Sequence, residues 1–470
     1  MRHRRAHPSG FIVSFVVSLA LVLLFDFGVC LGQEERSADL ILTNGVVYVE
    51  PRAAAQSTPG KSKIIAKNLI KNPTVEAIAF RSGDVVRLGD NATVMAQKGP
   101  GTKVIDLKGK AVLPAFHDGY IKLFAGGLRL TEEVATSREV TLRQALLKAQ
   151  EVLISAGFVS LSGPITEEEI KAIKALALEG NLTLRMELWG DLNRPDEFIE
   201  LREEHKKLLP RERIRFGGVQ AELDGELINR TAALLEPYAD AAEVEGVVRY
   251  TQDTLNEKVL AANRKGLSVI LKASGDRAVN MAITAFGNSR KLLFNDRLRN
   301  RIIGADLVQE GVRARFSELG ITVVAEPDIL VPDPGQERVE FVGLRLGPKR
   351  KALAYPWNTI KSTGGHLVFG STWPERELAP FKSISAALLR PGLENTKERL
   401  KIEDSIDAYT YSPAHATREE HVKGGLAEGK FGDAIVVSSD PYKTPPKKIK
   451  DIKVLMTISG GRIVFEAERN

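Results

Sequence analysis

Cysteine is nearly missing. Cys30 is the only one in 470 residues, so the body of the chain has no disulfide and must hold itself together by its core. A large charge of one sign is missing too. The formal net charge of +6 falls to +4 without residues 1–32, and no basic stripe is interleaved with aromatics, which argues against a nucleic-acid partner. No segment recurs at a fixed short period, so a solenoid is excluded. There is no phosphate loop: Gly60-Lys61-Ser62 has a suitable ending, but Ala55 stands where the first glycine belongs, and no strand leads in. The apolar run Phe11–Phe25, behind Arg2, Arg4 and Arg5, covers about 15 residues, short of the roughly 20 that a spanning helix needs. It reads as a signal peptide over residues 1–32, with small residues Cys30 and Gly32 at the cleavage site. The expectation is export, periplasmic or extracellular; the alternative is a membrane anchor formed by an uncleaved leader.

What is present is an ordinary globular composition, 43% hydrophobic and 27% charged, on a chain long enough for more than one domain. The stretch 39–49 reads as two strands around the Asn44-Gly45 turn, and residues 51–63 as a polar surface loop. Further strands are expected over 76–80, 84–89 and 103–107. At the other end, 434–437, 452–458 and 462–465 read as strands, the last two forming a hairpin through Gly460-Gly461. Two all-β ends around a different middle predict one small β-sandwich, built from 38–110 and 425–470, around a central domain over 111–424.

That middle alternates strands with helical stretches, as parallel sheets with crossover helices do. Strands are expected over 111–116, 158–161, 184–188, 214–220, 267–272, 301–304, 321–325 and 366–370, with helices over 142–155, 167–178 and 402–409. Eight such repeats fit a TIM-like (β/α)8 barrel, whose active site lies at the C-terminal ends of its strands.

Several segments in order then carry a resemblance: ADLILTNGVVY, TKVIDLKGKAVLPAFHD, LFAGGL, DGELINRTAALLEPYAD, KASGDRAVNMAITAF, FGSTWP, AYTYSPAHA, GGLAEGKFGDAIVV and DIKVLMTISGGRIVFE. Together they resemble the amidohydrolase superfamily in its family 3 branch, the YtcJ-like and N-substituted formamide deformylase-like proteins. The resemblance implies a metal-dependent hydrolase barrel plus a composite β-sandwich, zinc or another divalent metal, and hydrolysis of carbon-nitrogen bonds other than peptide bonds.

This chain departs from the family in two ways. The long insertion that family members carry between barrel strands one and two is reduced to the short stretch from Leu130 to Phe158. The positions that match the family's metal centre are also changed. Its His-x-His pair falls at Tyr120 and Lys122, and its strand-four lysine at Gln220. The histidines of strands five and six fall at Lys272 and Gly304, and the strand-eight aspartate at Thr372. An ammonium has no lone pair for a cation, glycine has no donor, and glutamine cannot be carboxylated. The family reaction needs a metal to acidify water and an aspartate to shuttle the proton.

No catalytic residue, metal ligand or cofactor is therefore expected; the two lysines would restore positive charge where the metal's stood, the alternative being that both extend to solvent. His117, His366, His415 and His421 are read as structural, and Glu222, Glu326, Asp224 and Asp118 as acids near the barrel mouth without a demonstrated role. The expected protein is an exported pseudoenzyme, with a binding or structural role and a small molecule as partner at the mouth. The alternative is an active carbon-nitrogen hydrolase.

Overall fold

The computed structural model describes residues 37–50, 73–132, 140–293, 298–332 and 338–468. The leader and the expected loop over 51–63 lie outside the described residues. From Ala38 onward the chain is one compact unit.

The first strands are β1 (Leu40–Thr43), β2 (Val46–Tyr48), β3 (Thr74–Val75), β4 (Ala77–Arg81), β5 (Asp84–Gly89), β6 (Lys103–Asp106) and β7 (Ala111–Pro114). Asn44, in the left-handed region at φ 55°, turns the chain between β1 and β2, as the Asn-Gly pair suggests. The two strands do not pair with each other. β1 enters a four-stranded sheet of order β5-β4-β1-β6, and β2 pairs with β3 and β7. Strand alternation gives β1 two apolar faces. Leu40 and Leu42 join one core, while Ile41 joins Ala77, Ala79 and Val94 on the other side.

The barrel follows as β8 (Phe116–Asp118), β9 (Phe158–Pro164), β10 (Arg185–Asp191), β11 (Ile214–Glu222), β12 (Ser268–Ala273), β13 (Arg301–Gly304), β14 (Thr322–Ala325) and β15 (His366–Phe369). These eight are neighbours in chain order, each parallel to the next. The segments after the first and last strands close the ring, with Gly119 N donating to Phe369 O at 2.9 Å and Ser371 N to Tyr120 O at 3.1 Å. The result is the expected TIM-like barrel with additional β-sheets.

One strand needs correction. The run 111–116, expected as barrel strand one, divides at Ala115. Ala111–Pro114 lies in a six-stranded sheet and pairs with β16 (Ala434–Val437), and the barrel begins at Phe116. Pro114 has no N–H, so a hydrogen-bond ladder breaks off there. β17 (Val454–Ser459) and β18 (Arg462–Glu466) complete that sheet as an antiparallel hairpin. The two sheets share one core, with Leu42, Ile78 and Phe80 from one and Val47, Val112, Val436 and Ile458 from the other.

Helix starts are legible. Thr141 and Gln144 form a capping box ahead of helix Leu142–Ser155, and Thr166 and Glu169 do so ahead of Glu167–Leu178. Between β8 and β9, helix Leu123–Glu132 packs tightly because of its paired glycines. A Cβ on Gly126 would lie 2.0 Å from the Trp373 ring, and one on Gly127 2.1 Å from Ala145 O.

Candidate functional site

The barrel interior is filled from both ends. In its middle Tyr120, Trp189, Ile270, Ile303, Val324 and Val368 pack together. Toward the bottom, Arg301 at the start of β13 holds Glu187 with its two terminal guanidinium nitrogens, at 2.6 and 2.8 Å. At the top a cavity opens where the strands end.

All six matched positions lie at these C-terminal ends. Tyr120 and Lys122 follow β8, Gln220 is two residues from the end of β11, Lys272 is next to last in β12, Gly304 ends β13, and Thr372 follows β15. Four of them, Tyr120, Lys122, Lys272 and Thr372, line the cavity; Gln220 and Gly304 are not among its described lining residues. Gln220 lies opposite Ile270, one face-repeat below the Glu222–Lys272 pair. Gly304 sits at φ +93°, a turn that brings Asp306 into the cavity wall in its place.

Tyr120 is 5% exposed and stacks on Trp189 with 6.1 Å between ring centroids and 4° between planes. Burial, reinforced by the charges of Glu326 and Glu222, pushes its phenol above the ordinary range and keeps it neutral. Lys122 donates to Glu375 Oε1 at 2.8 Å. Burial alone would lower its ammonium, but the bond to Glu375 and the nearby acids outweigh this and hold it charged. Thr372 gives both its N–H (2.9 Å) and its hydroxyl (2.6 Å) to Asp328 Oδ2. Lys272 differs from all of these: among the described residues it makes no hydrogen bond or ion pair.

The acids come largely from positions that the sequence motifs did not mark. Glu326 lines the cavity, and with it Glu226, Asp306 and Glu375. Burial pushes the Glu326 carboxyl up to about 8, and the charges of Asp328, Asp306 and Glu226 add to this against the pull of Lys272. Asp306 is pushed up to about 7, by burial and then by Asp224 and Glu226, with Ser274 and Lys272 opposing. Of the other expected acids, Glu222 pairs with Arg249 at 3.0 Å. Asp224 is a loop anchor, accepting from the backbone N–H of Ala233, Ser274 and Gly275, each at 2.9 Å. Asp118 lies fully buried, accepting from Tyr120 N, and burial pushes it up to about 7. Glu226, Asp306 and Glu375 could have been found by one signal: each lies within six residues after the end of a barrel strand.

None of the four histidines lines the cavity. His117 is buried with Nε2 2.9 Å from Ser162 Oγ, and burial holds its ring neutral. His366 opens β15 at the opposite end and stacks on His415 at 3.9 Å; His421 is exposed.

The four matched positions that line the cavity offer a metal few free donors. Lys122 and Lys272 present ammonium groups, the neutral phenol of Tyr120 is stacked into the core, and the Thr372 hydroxyl is committed to Asp328. Among the described residues no group of three or more His, Cys, Asp or Glu is placed to hold a metal ion. The arrangement can offer hydrogen bonds of both senses, one uncommitted ammonium, and carboxyls that exchange protons near neutral pH.

Comparison with known proteins agrees with the architecture. Residues 135–465 match the amidohydrolase family. YtcJ of Bacillus subtilis (strain 168) is 29% identical over 260 residues, 54% of this chain and 48% of that protein. N-substituted formamide deformylase of Arthrobacter pascens is 21% identical over 222 residues, 46% of this chain and 40% of that protein. This chain thus spans less than half the length of these relatives. Among solved structures, an uncharacterized metal-dependent hydrolase from Pyrococcus furiosus superposes with a TM-score of 0.69 at 23% identity, covering 86% of this chain and 100% of that one. With a barrel of this topology and a match over most of its length, the chain belongs to the amidohydrolase family.

Proposed function

We propose that this protein is a metal-independent member of the family: a pseudoenzyme that binds a small molecule at the barrel mouth and is exported through residues 1–32. The observation that carries this reading is Lys272. It stands at the family's strand-five histidine position as an uncommitted ammonium facing Glu326 and Asp306, so positive charge is supplied there by the chain itself. Thr372, at the position of the proton-shuttling aspartate, is bound to Asp328 and cannot act as a base. A nucleic-acid partner finds no basic stripe interleaved with aromatics in the sequence to support it.

The test is metal analysis of the purified full-length protein, with thermal unfolding before and after EDTA. The expected result is no stoichiometric zinc and an unchanged midpoint. A metal held at a hundred times its Kd would contribute about 2.7 kcal/mol, so its removal would be plain. Tyr120→His with Lys122→His should still bind no zinc tightly, because Gln220, Lys272, Gly304 and Thr372 remain.

A second reading is favoured by family membership itself: hydrolysis of a carbon-nitrogen bond other than a peptide bond. One equivalent of zinc, together with amidase turnover lost on chelation, would establish that reading and overturn the first.

A further inference from the structure

We propose that the barrel mouth binds a small zwitterion of the amino-acid type, with its carboxylate on Lys272 and its ammonium among Glu226, Asp306 and Glu326. The proposal rests on the metal-independent reading above and names the ligand class for that same site.

The argument is one of matching charges. Lys272 is on β12, the fifth strand of the ring, and Lys122 follows β8, the first, so the two stand across the ring of eight from each other. Lys122 is already paired with Glu375 at 2.8 Å. That leaves Lys272 as the cation in the wall without a contact partner among the described residues, flanked by Glu226 after β11, Asp306 after β13 and Glu326 after β14. A ligand that is only an anion would meet Lys272 but would oppose the ionisation of the Glu226, Asp306 and Glu326 carboxyls beside it. A ligand that is only a cation would favour the ionised form of those carboxyls but be repelled by Lys272. A neutral, apolar ligand would strip water from Lys272 and give it nothing in exchange, which is costly for an ammonium.

A molecule with an ammonium and a carboxylate close together satisfies both sets at once, and brings the local charge nearer to balance. Part of the remaining wall is apolar, with Leu227, Ile329 and Val342, which suits a short hydrocarbon side chain; Ser274, Ser371 and the Lys122–Glu375 pair line other parts. The sequence neighbourhood prepares this wall: Glu226 and Leu227 follow the Asp224 anchor, whose three backbone hydrogen bonds hold the loop against β12.

The test is isothermal titration calorimetry of the full-length protein in EDTA-treated buffer with three probes. L-Alanine carries both charges, L-alaninamide only the ammonium, and N-acetyl-L-alanine only the carboxylate. L-Alanine should bind, and each masked analogue should bind roughly tenfold or more weakly. Lys272→Met should weaken L-alanine by about the same factor while leaving L-alaninamide unchanged or tighter. Glu226→Gln provides an independent variant should Lys272→Met fail to fold, and it should weaken L-alanine and L-alaninamide but not N-acetyl-L-alanine. Equal affinity for L-alanine and either analogue, or no heat from any of the three, overturns the proposal. Zinc analysis of the same sample separates the two levels. A zinc-bearing, amide-hydrolysing protein sinks the metal-independent reading and this proposal with it. A zinc-free protein indifferent to L-alanine sinks the ligand assignment alone.

Discussion

The two ends of the barrel interior contain the same kinds of charged residue and use them in opposite ways. At the bottom, Arg301 and Glu187 are each 2% exposed and joined by two short hydrogen bonds. Trp189 donates to the same carboxylate at 2.9 Å, and Arg301 also reaches Ala416 O. Burial alone would raise the Glu187 carboxyl; the guanidinium outweighs it and holds the group below the usual range. At the top, Lys272 has no contact partner among the described residues, and the Glu326 and Asp306 carboxyls near it are pushed up toward neutrality. A closed pair is part of the frame, because each charge finds its complement in the fold. An open set costs stability, and it is the reason the mouth is proposed as the binding end.

The contrast can be broken most forcefully at the bottom. Arg301→Met leaves Glu187 buried without its counter-ion and should cost about 3–5 kcal/mol in urea unfolding. Arg301→Met combined with Glu187→Leu should recover much of that loss, since no uncompensated charge remains. A loss below about 1 kcal/mol in the single variant would show that the pair is not part of the frame.

The mouth should announce itself through pH. Glu326 and Asp306 have folded-state values near 8 and 7, above their ordinary values of 4.5 and 3.8. Their protonated forms are favoured in the folded protein, so the stability they contribute is complete below about pH 4 and is lost as pH rises through 7 to 8. The thermal midpoint should therefore fall between about pH 5.5 and 8.5, and Glu326→Gln should flatten that fall. An unchanged slope in Glu326→Gln would remove Glu326 from the account.

The smallest effect is expected at the rim. Lys122 and Glu375 form a contact pair like the one below, but their side chains are 41% and 46% exposed. Lys122→Ala should cost less than about 1 kcal/mol, and less again at high salt. A cost comparable with that of Arg301→Met would mean that exposure does not distinguish the two ends.

Much of this organisation is local and could be read directly. The capping boxes at Thr141 and Thr166 lie in four-residue windows, and the helices behind them match the expected bounds. The barrel strands are short apolar runs between helical stretches, visible because burial on both faces demands them. Local pattern failed where one apolar run serves two sheets. Ala111–Pro114 and Phe116–Asp118 look continuous, yet one pairs with β16, over 300 residues later, and the other opens the barrel.

For the site, the sequence by itself determined the residue types at positions 120, 122, 220, 272, 304 and 372: two ammonium groups and a glycine have no side-chain lone pair to give a cation before any folding. It also placed them at strand ends, because the strand pattern is local. Only the tertiary structure decided which charges answer which. Lys122 meets Glu375 across 253 residues of chain because the first and last strands close a ring. Lys272 has no contact partner among the described residues because the segments after β11, β13 and β14 carry Glu226, Asp306 and Glu326 to the cavity wall without bringing any of them into contact with it. Electrostatic energy depends on separation in space, and ring closure sets those separations between residues that have no relation along the chain.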